Sequence, residues 1–185
     1  MKNKFISPFK PRIFKNSKPT SFKIYTFHAG FKRRGDDLLV IVFEKPVPVS
    51  KVFTLSSTPS ATIIWGKNQP KNEKCKVLIV NSGNANAFTG NQGLNSIKKY
   101  STYASKKFGC NINQILVSST GVIGEQLDPK FIISKLKLIN ALNKDKSKNF
   151  LDAAKSIMTT DTFPKTANQI LKYKGQKIKI FGIAK

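Results

Sequence analysis

Three short segments of this 185-residue sequence gather small, hydrogen-bonding residues in patterns suited to chemistry. The first is Asn81-Ser82-Gly83-Asn84-Ala85-Asn86-Ala87, too polar for a strand and too rich in Ala for an ordinary surface turn. Small side chains let backbone approach backbone or ligand, and each Asn offers donors and an acceptor. Asn81 and Asn84 are therefore candidates for shaping a site, with a plain Asn/Gly turn closing a strand as the simpler reading. The second, Ser118-Ser119-Thr120-Gly121-Val122-Ile123-Gly124, sets hydroxyls beside Gly. Gly121 lets backbone N–H groups converge and Thr120 adds a hydroxyl donor, which is equipment for holding a developing oxyanion in acyl transfer. The same parts could cradle a phosphate, although no Gly-Lys-Ser/Thr pattern is present, or form an ordinary strand-to-helix turn. The third, Met158 to Lys165, concentrates Thr159, Thr160, Thr162 and Asp161 at a helix end. With nine acidic residues in the whole chain, Asp161 stands out; a turn that caps its own backbone is the alternative.

Other chemistries find little support. Cys75 and Cys110 are the only cysteines and His28 the only histidine, so a structural zinc site and Ser-His-Asp chemistry within this chain are both poorly supported. The cysteines read as small core or edge fillers, and His28 as a structural or surface residue. No metal is expected.

Elements that would position the three segments follow from periodicity. Asp37–Glu44 (DLLVIVFE) reads as a buried strand broken by Pro46-Val47-Pro48, Ser60–Trp65 as a second strand, and Lys76–Val80 as a third that runs into the Asn81 loop. Leu94, Ile97, Ala104 and Phe108 fit one face of a helix stopping at Gly109. Ile115–Val117 is a brief strand emptying into the Ser118 loop. Asp128 followed by Pro129 starts a helix whose stripe is Phe131, Ile132, Leu136, Ile139 and Leu142. A helix from about Asn149 to Met158 precedes the Thr-rich turn, and 169–173 with 177–181 flank Gly175 as a hairpin. Strands alternating with helices indicate a mixed α/β (α+β) class. Residues 1–19 read as a basic, Pro- and Lys-containing arm, and 20–185 as one domain.

The formal net charge is +24, from 33 basic and 9 acidic residues. Only Arg12, Arg33 and Arg34 are Arg, however, and the lysines are spread along the chain. Base readout and bidentate phosphate contacts favour Arg, so a Lys-rich solvated surface is the better reading than a nucleic-acid interface. No stretch approaches the roughly 18 apolar residues of a membrane-spanning helix. The N-terminal 20 residues contain no continuous apolar run of the secretory type, which makes the cytoplasm the expected compartment.

Taken together and in order, NSGNANAFTG (81–90), SSTGVIGEQL (118–127) and IMTTDTFPK (157–165) resemble signatures of the ornithine acetyltransferase (glutamate N-acetyltransferase) family of arginine biosynthesis. AGFKRRGDDLLVIVF (29–43) is similar to its more variable opening. The resemblance covers roughly residues 20–185 and implies the α-chain half of an ornithine acetyltransferase/DmpA-like fold, sheets packed with helices. It further implies a precursor that cuts itself into α and β chains assembling as α2β2, with the N-terminal Thr of the β chain as nucleophile. Acetyl would pass from N-acetylornithine to glutamate through an acetyl-enzyme, without a cofactor, some members also taking acetyl-CoA. On this resemblance Thr120 and Gly121 form the oxyanion hole, while Thr159 and Lys185 contact substrate. The nucleophile is absent from these 185 residues, so the chain alone is expected to be inactive. A related amidase or aminopeptidase and a non-catalytic basic binding protein are the alternatives.

Overall fold

The computed structural model describes residues 19, 21–70, 74–139 and 147–185. The expected arm over 1–19 lies outside them except for Pro19, as does Leu142 of the expected helix stripe.

A four-stranded sheet carries the molecule, in the order β1 (Phe22–Phe27), β2 (Leu38–Pro48), β3 (Lys74–Asn84), β4 (Ile115–Val122). The first three strands pair antiparallel, and β3 pairs parallel with β4. That parallel step needs a crossover, which α2 (Gly90–Phe108) supplies. Leu38, Val40, Val77, Ile79 and Ile115 point to one face, where α1 (Ala61–Lys67), α2 and α3 (Pro129–Leu138) cover them. Ile24, Leu39, Ile41, Leu78 and Val80 point to the other face, toward α4 (Phe150–Ser156). Both faces are covered, which explains why DLLVIVFE is a continuous apolar run and not an alternating one.

A separate two-stranded sheet pairs β5 (Lys165–Tyr173) with β6 (Gln176–Ala184). Its base is anchored by Phe181, stacked on Phe150 of α4 at 4.2 Å between ring centroids. Several expected features appear at their expected places. α2 ends on Gly109 in the left-handed conformation, and Asp128 caps α3 by accepting from the Lys130 amide at 2.9 Å. The hairpin turns at Lys174-Gly175. α4 starts on Asn149, which forms a reciprocal capping box with Asp152.

Five readings need correction. Ser60–Trp65 is not a strand: Ala61–Lys67 is helical, because Ala61 and Thr62 bury against the α2 side of the core and outweigh the β-preference of Ile63, Ile64 and Trp65. β1 was not anticipated; it forms by pairing residue for residue with β2 from Phe22↔Phe43 to Phe27↔Leu38. Pro46-Val47-Pro48 does not end β2 but follows a register shift between Val42 and Val47, after which Val47 pairs with Cys75. The segment judged too polar for a strand is half strand, since β3 continues to Asn84. Finally, the Ser118 loop is strand through Val122, so Thr120 and Gly121 sit on β4 itself.

Candidate functional site

The ends of β3 and β4 are joined by an unusual backbone pairing. Gly83 lies opposite Gly121, with the register shifting at Asn84 immediately after. Gly121 has φ +134°, and a Cβ there would fall 2.2 Å from the Gly83 carbonyl carbon. Gly83 has φ +108°, and a Cβ there would fall 2.5 Å from the Phe31 carbonyl oxygen and 3.0 Å from the Lys32 side chain. Three stretches of backbone thus meet where only glycine fits.

The polar side chains at this end divide between the two faces of the sheet. On the α2 side, buried Asn81 donates to the Asn84 carbonyl at 2.8 Å and accepts from the Ser119 hydroxyl at 2.6 Å. Asn84 donates to the Glu125 carbonyl at 3.0 Å and accepts from the Asn86 amide at 2.8 Å. Both Asn side chains therefore hold the strand ends and the following loops to one another. The polar run is compatible with a strand because its side chains satisfy each other without water.

Toward α4, Thr120 pairs in register with Ser82 and is half-buried. Ser82, fully buried, donates to the Ser156 carbonyl at the last residue of α4, 2.6 Å away. The chain leaves α4 directly into the Met158–Thr162 turn. Lys32 ties that turn down again, its Nζ donating to the Met158 carbonyl at 3.1 Å. Partial burial lowers the Lys32 pKa from its ordinary value, against the opposing pull of Asp37 and Asp36.

Asp161 organises the turn. Its carboxylate accepts from the Thr159 amide at 3.3 Å, takes a direct bond from Lys165, and lies 3.6 Å from the Lys185 ammonium. Burial alone would push its carboxyl up, but the bonds from Lys165 and Thr159 and the charges of Lys185 and Lys165 outweigh it and hold the pKa below the usual range. Lys165 and Lys185 meet there because Lys165 begins β5 opposite Ala184 of β6.

Thr120 and Thr159 are thus linked through Ser82 and Ser156, and Lys185 joins the same turn through Asp161. Asn81 and Asn84 act on the opposite face. Residue-by-residue reading missed Lys32, Ser82, Ser156 and Asp37. Asp37 is fully buried and accepts from the amides of Ala29, Gly30 and Lys32, which shapes the loop that delivers Lys32. Its position in an apolar run was the available signal; Lys32 offered none in so lysine-rich a chain. His28 is half exposed beside this loop, 2.8 Å from the Gly35 carbonyl. Cys75 is buried, and burial pushes its thiol up to about 12. Among the described residues no group of three or more His, Cys, Asp or Glu could hold a metal ion, and no helix is long and apolar enough to cross a membrane.

Comparison with known proteins decides the lineage of this arrangement. A sequence model of the ArgJ family matches residues 23–185. The chain belongs to the ArgJ family. The arginine biosynthesis bifunctional protein ArgJ of Mesorhizobium japonicum is 42% identical over 97% of this chain, and that of Bradyrhizobium diazoefficiens 39% over the same share. In both cases the chain spans 44% of the relative's length, less than half. Among solved structures, the Bacillus halodurans ArgJ protein superposes with a TM-score of 0.80 at 30% identity, covering 89% of this chain and 85% of that one. Ornithine acetyltransferase from Mycobacterium tuberculosis, solved with ornithine, shares the fold with a TM-score of 0.74 at 24% identity, covering 90% and 88%. The mixed α/β architecture is therefore the ArgJ fold.

Proposed function

We propose that this ArgJ-family chain is the α portion of an acetyltransferase that moves acetyl from N-acetylornithine to glutamate. It works with a β chain cut from the same precursor, whose N-terminal Thr supplies the nucleophilic hydroxyl, in a cytoplasmic α2β2 assembly. In the first half-reaction that hydroxyl oxygen adds to the acetyl carbonyl. The Thr120 hydroxyl and the Gly121 amide donate to the resulting oxyanion; the C–N bond then breaks and the proton leaves with the ornithine amine. In the second, the glutamate amine attacks the acetyl-Thr ester and the hydroxyl is regenerated. Acetyl-CoA can enter as an alternative acetyl donor by the same route. Thr159 and the Lys185 ammonium bind the amino-acid portion of the substrate, a cation beside a carboxylate being suited to that work.

The observation that carries this reading is the shared face. Thr120 stands in register with Ser82, whose hydroxyl bonds the end of α4 just ahead of Thr159, and the Lys185 ammonium lies 3.6 Å from Asp161 of that turn. The test is acetylation of glutamate dependent on N-acetylornithine, measured on the protein with its downstream segment. Thr120→Ala is expected to lower kcat by ~10²–10³. Unchanged turnover in that variant removes Thr120 from the oxyanion role, and the absence of transfer in the parent overturns the reading.

A further inference from the structure

Three neighbouring parts of the site converge on one carboxylate. Asp161 touches the Thr159 amide in the turn, Lys165 at the start of β5 and Lys185 just past β6. Its side chain is only 8% exposed, so these three partners take the place of most of its water. The two lysines are not equivalent. Lys165 bonds one carboxylate oxygen directly, which fixes the side chain; Lys185 lies 3.6 Å from the other oxygen, beyond a direct hydrogen bond. Lys185 is therefore held by charge while its N–H donors stay available to another acceptor. Two ammonium groups around one carboxylate also leave the cluster with net positive charge, the sign that receives an anionic ligand.

We propose that Asp161 is a positioning residue for substrate recognition: it holds the Lys185 ammonium and the Thr159 backbone side by side, so that together they receive the carboxylate of the amino-acid substrate. This rests on the acetyltransferase reading above. Asp161 itself meets no reacting atom. Its loss weakens substrate binding and leaves the chemical step largely intact, the pattern of an interaction made equally in ground and transition states.

The test is steady-state kinetics with N-acetylornithine on the protein carrying its downstream segment, comparing the parent with Asp161→Asn and Asp161→Glu. Asp161→Asn keeps an acceptor for the Thr159 amide but removes the charge that holds Lys185. It is expected to raise KM about tenfold with kcat within about threefold of the parent. Asp161→Glu, which restores the charge one methylene away, is expected to recover part of that loss. Hydrogen exchange across 158–162 is expected to quicken in Asp161→Asn. A folded Asp161→Asn with parental KM overturns the proposal, as does a loss wholly in kcat. If Asp161→Asn does not fold, Asp161→Glu decides: a KM raised above the parent's with kcat within about threefold supports the proposal, and a parental KM or a loss wholly in kcat overturns it. A parent that transfers no acetyl overturns the functional reading together with this one, whereas an active parent with indifferent variants overturns this one alone.

Discussion

Replacing Gly121 by Ala tests the backbone crowding on which the site is built. The new Cβ would stand 2.2 Å from the Gly83 carbonyl carbon and 2.6 Å from both the Gly83 Cα and the Asn84 nitrogen. All three are backbone atoms, so no side chain can rotate aside and the two strands must separate. The φ of +134° adds conformational strain for any residue with a Cβ, about 1–3 kcal/mol, and forced repacking adds about 1–3 kcal/mol more. The total is about 2–6 kcal/mol, or a fall in Tm of roughly 5–20 °C for a chain of this size. Gly124→Ala is the control, because Gly124 also has positive φ, +87°, but nothing lies within 4 Å of a Cβ there. It carries the strain without the collision, so its Tm is expected to fall by about half as much. Thermal unfolding followed by circular dichroism measures both. Equal falls in the two variants would refute the claim that the Gly83–Gly121 approach excludes a side chain.

Other consequences are open to direct measurement. Asp37→Ala leaves the amides of Ala29, Gly30 and Lys32 without their acceptor; a loss of about 3 kcal/mol is expected, seen as a Tm lower by roughly 6–12 °C, and a fall below about 2 °C would contradict the assigned role. Cys75, with its thiol pushed from 9.0 to about 12, carries a thousandfold less thiolate at pH 8 than an ordinary cysteine. Iodoacetamide is expected to modify it about a thousandfold more slowly in the folded protein than in guanidinium, and a ratio under about ten would show that the thiol is not sequestered. The Asp161 carboxyl is held below its ordinary 3.8, so its pairing contributes fully above that value and is lost only as pH falls through the lower folded value. Exchange protection across 158–165 is expected to persist down to about pH 4, and its loss between pH 5 and 6 would contradict the arrangement.

The parts of this fold that the sequence discloses are those decided locally. Asp128-Pro129 starts α3 because an N-cap acceptor and a preset φ act within one turn, and Gly109 ends α2 because it alone takes the left-handed conformation cheaply. What escapes is decided at a distance. Ile63-Ile64-Trp65 carries strand-like residue types, yet Ala61 and Thr62 find their burial beside α2, and Gly66 packs against the Phe53 ring where a Cβ would lie 2.8 Å away. The same limit divides the site. Thr120 and Gly121 could be picked out from their types, but their being in a strand depends on pairing with Ser82 and Gly83 of the neighbouring one. The joint role of Ser82 and Ser156 joins positions 74 residues apart, which no spacing rule anticipates.

Charge imbalance makes one half of the site easier to see than the other. Substituting a solvated carboxylate changes stability by a few tenths of a kcal/mol, whereas removing one that satisfies a buried amide costs about 1–3 kcal/mol. In a chain with nine acidic and 33 basic residues, a carboxylate is therefore most informative where a backbone donor needs it. Five of them fit that description or close to it: Asp37 accepts from three amides, Asp128, Asp152 and Asp161 each accept from one, and Asp36 accepts from the Thr26 hydroxyl. Asp161 is the member of this group whose other partners are two lysines at the open end of a hairpin, which is why a single acidic residue points to a place where cations are gathered. Lysine carries no such information here, since a cation that works at a site and one that merely faces water are written with the same letter. Lys32 and Lys185 gain meaning only through what they touch, a carbonyl of the Thr-rich turn in one case and the Asp161 carboxylate in the other.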